Sequence, residues 1–217
     1  ELVGNFANGG AEWHPKGAAP KVNDHDFPSQ AEGGAVPYGV YDIGRDEGYV
    51  SVGVSAETGE FAVNAIRSWW ETMGRERYPQ ATRLMVTADG GGSNGSRNRL
   101  WKRSLQAFAD EAGLTVMVCH FPPGTSKWNK VEHRLFAQIS KNWRGHPLVS
   151  LEVIVSLIAS TTTSTGLEVR CAVDGRTYDR GVRVTDEEMG SIDIVRNDFH
   201  GDWNYVIRPR PQLDLTE

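Results

Sequence analysis

Three things are scarce in this chain, and each scarcity narrows what it can be. Only two of its 217 residues are cysteine, and Cys119 and Cys171 stand far apart. They match neither a disulfide framework nor a zinc pattern, and they suit reduced thiols in a cytoplasm. No apolar run approaches the ~20 residues of a membrane helix, and no signal-peptide pattern opens the chain. Positive charge is also short: 23 Lys and Arg face 28 Asp and Glu, for a net charge of −5. Taken whole, that balance argues weakly against a nucleic-acid partner. Internal repeats and low-complexity tracts are lacking as well. The first residue is Glu1 and not Met, which leads us to expect an N-terminal truncation.

What is present reverses the charge argument. Between residues 94 and 146 there are nine Lys and Arg against three acids. A polyanion responds to the local field and not to the total. Apolar residues make up 39% of the chain and seven are Trp, enough for a sizeable core.

The organisation reads as α/β. Residues 1–36 are loop-rich, with a strand end near Leu2. Runs 36–42 and 48–54 bracket a hairpin turn. Phe61, Ala65, Ile66, Trp69 and Met73 recur at helical spacing over 60–73, with Gly74 as the expected stop. Arg83 to Ala88 reads as a buried strand. Residues 97–112 read as a helix, 114–118 as a strand, 127–143 as a helix and 150–160 as another. In the tail, 167–173 is a strand candidate and Thr185-Asp186-Glu187-Glu188 a capping box. We expect a core over residues 1–160 and a packed extension over 161–217, including Phe199 to Tyr205.

The most informative segment is Ala88-Asp89-Gly90-Gly91-Gly92-Ser93-Asn94-Gly95. An acid stands where a strand runs out, among glycines that let other groups approach the backbone. Such a carboxylate calls for a positive partner. The second candidate acid is Glu132, in Thr125-Ser126-Lys127-Trp128-Asn129-Lys130-Val131-Glu132-His133. On a helix, Glu132 shares a face with Trp128 and Leu135. Asp89 and Glu132 are hard oxygen ligands suited to Mg²⁺ or Mn²⁺, and a pair of such ions serves phosphodiester chemistry. The plainer alternative is that Asp89 caps the next helix or its loop and Glu132 pairs with a nearby lysine.

Asn94, Ser96, Arg97, Asn98 and Arg99 follow Asp89 and are candidates for phosphate contact. Lys127, Lys130 and Arg134 recur at i, i+3 and i+7, which lines one helical face for DNA. His133 is a candidate to orient water or a phosphate. Trp69, Trp70, Trp101 and Trp143 read as core; Trp128 reads as core by its helical spacing with Val131 and Leu135, with stacking on a base as the alternative. His120 beside Cys119 lacks further ligands at metal-binding spacing.

The segments Ala88 to Asn98 and Pro122 to Phe136 resemble the DDE transposases of the Rhodopirellula type, of the RNase H-like superfamily. The similarity extends to Gly4-Asn5-Phe6, Val36-Pro37-Tyr38-Gly39 and Asp202-Trp203-Asn204-Tyr205. It implies an RNase H-like mixed sheet flanked by helices, with three acids holding two Mg²⁺ (or Mn²⁺) ions. Asp89 matches the second acid and Glu132 the third. The first belongs to an opening strand upstream of the segment matching Glu1-Leu2-Val3, and Asp42 is the nearest substitute in this chain. The implied activity is endonucleolytic cleavage at transposon ends followed by strand transfer into target DNA. The implied assembly is a synaptic homo-oligomer on DNA, with no membrane partner.

Two other readings stand beside it. One is a catalytically dead, DNA-binding transposase remnant. The other is a dinucleotide-binding enzyme, because Gly90 to Gly95 satisfies G-x-G-x-x-G. Against the latter, an acid directly before the glycines repels a pyrophosphate.

Overall fold

The computed structural model describes residues 1–26 and 28–211. In chain order the elements are β1 (Leu2–Val3), β2 (Gly33–Gly34), β3 (Val36–Asp42), β4 (Glu47–Gly53), α1 (Gly59–Trp69), α2 (Arg75–Arg77), β5 (Arg83–Ala88), α3 (Arg99–Ala112), β6 (Thr115–His120), α4 (Ala137–Asn142), α5 (Leu151–Ala159), β7 (Glu168–Asp174), α6 (Asp186–Gly190), β8 (Ile194–Arg196) and β9 (Asn204–Ile207). This is a mixed α/β protein, as the element pattern predicts. The contacts divide it into two units, one of residues 1–56 and 130–177, the other of residues 57–129 and 178–217.

In the first unit the hairpin forms in the register Val36↔Gly53 to Asp42↔Glu47, and β7 adds to β4 in parallel. Asp42 is committed to the hairpin turn, where its Oδ1 accepts from Gly44 N at 2.9 Å and Arg45 N at 3.3 Å. The stretch 1–36 is mostly irregular, as expected, but contributes the short β1–β2 pair. The core gathers Val50, Val52, Leu135, Ile139, Ile154 and Ile158, all fully buried. Two glycines make room for the chain segment that packs on the hairpin. A Cβ on Gly48 would lie 2.5 Å from Leu135 Cδ1, and one on Gly39 would lie 2.8 Å from Phe136 Cε2.

The second unit holds a four-stranded mixed sheet in the order β5-β6-β9-β8. β5 and β6 run parallel, and β9 is antiparallel to both β6 and β8. Residues 199–205, expected as a packed extension, form the β8–β9 connection and the start of β9, so the tail continues the sheet. β5 is less enclosed than its apolar sequence suggests: Ala88 is buried, but Met85 is 62% exposed.

Capping explains the helix limits. Asn98 accepts from Trp101 N at the start of α3, and Gly113 closes its end in the left-handed region at φ 67°. The capping box at Thr185 and Glu188 forms as the spacing predicts. Gly74 does not stop its helix. Helical backbone continues from α1 through a π-helical turn, Trp70–Gly74, into α2. The residue is glycine for a packing reason, because a Cβ there would come within 2.5 Å of Trp70 Cε3. Trp69, Trp70, Trp101 and Trp143 are buried, as expected.

Close approach also governs the contact of α1 with α3. A Cβ on Gly59 would sit 2.6 Å from Trp101 N, a backbone atom that cannot swing aside. Gly59→Ala is therefore expected to destabilise the protein by about 1–3 kcal/mol through forced separation of the two helices. Urea unfolding checks this, and an unchanged midpoint would contradict it.

Candidate functional site

Asp89 follows the last residue of β5. Its neighbourhood is set by β6, since Ala88 pairs with His120 across the sheet. Phe121 N donates to Ala88 O at 2.8 Å, and the His120 ring bonds Asp89 O through Nδ1 at 3.0 Å. The side chain has its own partner: the buried Asn129 donates from Nδ2 to Asp89 Oδ1 at 3.2 Å. The other carboxylate oxygen has no hydrogen bond among the described residues. Asp89 is half-buried, and it does not cap α3, because Asn98 does.

The glycines after it make a tight turn. Gly92 sits at φ 73°, a 3₁₀ turn spans Gly92–Asn94, and the Gly95 Cβ position lies 3.2–3.3 Å from the backbone of Gly90, Gly91 and Gly92. A loop folded on itself in this way, with α3 starting only at Arg99, lacks the glycine-to-helix step of a dinucleotide site.

Glu132 belongs to the first unit. The expected continuous helix 127–143 is replaced by a 3₁₀ turn at Ser126–Trp128, a π-helical segment at Val131–Phe136, and then α4. The wider π turn breaks the i, i+3 relation. Glu132 is exposed whereas Leu135 is fully buried, so the two do not share a face. Trp128 is 54% exposed and is not core. Lys127, Lys130 and Arg134 fall on different kinds of helical turn, so they form no regular i, i+3, i+7 row. Glu132 has no ion pair among the described residues.

The basic segment is less free than its composition implies. Arg99 pairs with Asp186 at 2.6 Å and Arg103 with Glu188 at 2.8 Å, so the acidic first turn of α6 offsets two bases of α3. Lys102 is 6% exposed and lies over the Tyr205 ring, 5.3 Å from its centroid; burial pushes its pKa down. Arg134 hydrogen-bonds the Tyr41 hydroxyl, which also donates to Asp46 at 2.6 Å. Arg97 and Lys130 are exposed and unpaired among the described residues. Asn94, Lys127 and His133 each carry an interaction with neighbouring groups.

Three residues at the site are not legible as functional in the sequence: Asn129, His120 and Tyr205. Asn129 lies inside the quoted motif but is an ordinary loop amide by composition. Both ring nitrogens of His120 are engaged, Nε2 with the Tyr205 hydroxyl at 3.1 Å. Burial holds the His120 pKa below its ordinary value, partly offset by Asp89 O, and raises that of Tyr205.

Taken separately, each acid is a hard oxygen donor of the kind divalent cations take: Asp89 has one carboxylate oxygen with no hydrogen bond among the described residues, and Glu132 is exposed. Among the described residues no three His, Cys, Asp or Glu side chains cluster as a metal group. No helix there is long and apolar enough to cross a membrane. A family model described as the Rhodopirellula transposase DDE domain matches residues 1–209. No curated protein and no solved structure matches the chain.

Proposed function

Because the chain belongs to the Rhodopirellula transposase DDE domain family, we propose that it supplies the metal-dependent strand cleavage and strand transfer of a transposase. The observation that carries this reading is Asp89, at the end of β5, with one oxygen steered by Asn129 and the other uncommitted. Asp89 and Glu132 would be two of the three acids that hold the divalent ions, two Mg²⁺ or Mn²⁺. When bound, such ions activate an attacking oxygen and stabilise a leaving one at phosphorus. The residues themselves have simpler tasks. Asn129 fixes the rotamer of Asp89. Arg97 and Lys130, exposed and unpaired among the described residues, neutralise DNA phosphates. Asn94, Arg99, Lys127, His133 and Arg134 contribute only by exchanging the partners they already hold. Strand transfer proceeds in a synaptic homo-oligomer on DNA.

The test is a cleavage assay of the protein on DNA carrying transposon ends. Mg²⁺ or Mn²⁺ should be required, and the products should end in 3′-hydroxyls. Cleavage that persists in a chelator would overturn the reading. DNA affinity should also fall with salt through counterion release. Arg97→Ala and Lys130→Ala should each reduce the slope of log affinity against log salt by about one. Slopes unchanged in both variants would remove these residues from the DNA surface.

A further inference from the structure

Four groups from four parts of the second unit form an unbroken hydrogen-bonded chain ending on the backbone of Asp89. Trp101 of α3 donates from Nε1 to the Tyr205 hydroxyl oxygen at 3.0 Å. Tyr205 of β9 lies 3.1 Å from His120 Nε2, and His120 Nδ1, at the end of β6, lies 3.0 Å from Asp89 O. Trp101, Tyr205 and His120 are 0%, 1% and 5% exposed, so bulk water does not compete for these contacts.

The direction of this chain is forced by its ends. An indole N–H can only donate, and a peptide carbonyl can only accept. The Tyr205 oxygen therefore accepts from Trp101 and spends its single proton on His120 Nε2. Nε2 is then an acceptor, and the ring proton sits on Nδ1, where Asp89 O requires a donor. The opposite tautomer would set an Nδ1 lone pair against the carbonyl lone pairs and leave the Tyr205 proton without an acceptor in the chain.

We propose that His120 is a positioning residue for Asp89, held as the Nδ1–H tautomer by Trp101 and Tyr205 so that it clamps the Asp89 carbonyl. The inference rests on the reading of Asp89 as a metal ligand. Its physical basis is that groups outside the metal shell orient the ligands within it. Asp89 lies beyond the last strand residue, where sheet hydrogen bonding no longer fixes the backbone. The clamp from below and the Asn129 bond to Oδ1 together restrict both the main chain and the carboxylate.

The experiment combines a spectrum with a substitution series in the full chain. Long-range proton–nitrogen NMR of the His120 ring is expected to show a protonated Nδ1 and an unprotonated Nε2. Tyr205→Phe keeps the ring but removes the hydroxyl, so Nε2-protonated ring should appear. His120→Asn places an amide donor near the Nδ1 position, and His120→Gln places it near Nε2. Mn²⁺ alone, titrated by paramagnetic broadening, should bind His120→Asn within about threefold of the parent and His120→Gln about 10- to 100-fold more weakly.

A ring protonated at Nε2 in the parent overturns the proposal, as does equal Mn²⁺ affinity in the Asn and Gln variants. Asp89→Asn in the same titration separates the two ideas. Undiminished Mn²⁺ binding by that variant overturns the metal reading of Asp89, while the tautomer spectrum still decides whether the clamp exists.

Discussion

Asp89→Asn and Glu132→Gln are each expected to reduce metal-dependent DNA cleavage by the protein about 10²–10³-fold or more, the scale for removing one electrostatic contributor to a charged transition state. Both substitutions keep the side-chain shape and delete the charge. Asp89→Asn still offers an oxygen to Asn129 Nδ2, and Glu132 is exposed, so neither should unfold the protein. Circular dichroism and a melting temperature within a few degrees of the parent would establish that control. Asn129→Ala should give a smaller loss, because it frees the Asp89 rotamer without removing a ligand. Normal cleavage by either carboxylate variant would end the case for that residue as a metal ligand.

The largest stability effect is expected at Leu135. Its side chain is fully buried in the core of the first unit, in the space that Gly48 and Gly39 leave open on the hairpin. Glycines that lack a Cβ cannot refill that space, so Leu135→Ala leaves a cavity. The expected cost is about 2–5 kcal/mol, or a melting temperature lower by roughly 5–15 °C for a protein of this size. Leu135→Met, which nearly conserves volume, should cost less than about 1.5 kcal/mol. Calorimetry on the two variants decides the point, and equal melting temperatures would show that the glycine-lined space is not what Leu135 fills. The same substitution bears on function, because Leu135 anchors the π-helical segment that presents Glu132.

Local signals were legible wherever one short stretch carried its own explanation. The hairpin and the capping box at Thr185 both follow from residues within a few positions of one another. The π-helical segment around Glu132 was not legible. Apolar spacing over residues 127–143 looks like one regular helix, and the break after Trp128 is invisible to a periodicity argument. Charge failed in a related way. Composition counts Arg99 and Arg103 as free positive charge, but α6, more than 80 residues later in the chain, brings Asp186 and Glu188 to them.

From its sequence alone the protein is an α/β domain with two acids, Asp89 and Glu132, set in motifs long enough to resemble one transposase family. Those features rest on residue identity and near-neighbour order, which a linear string carries in full. Tertiary structure alone decided which bases are already neutralised, that Asn129 steers the Asp89 carboxylate, and that Trp101, Tyr205 and His120 end in a clamp on its backbone. Such relations join residues from 31 to 104 positions apart. They depend on which strand pairs with which, and no local rule of propensity or spacing specifies that pairing.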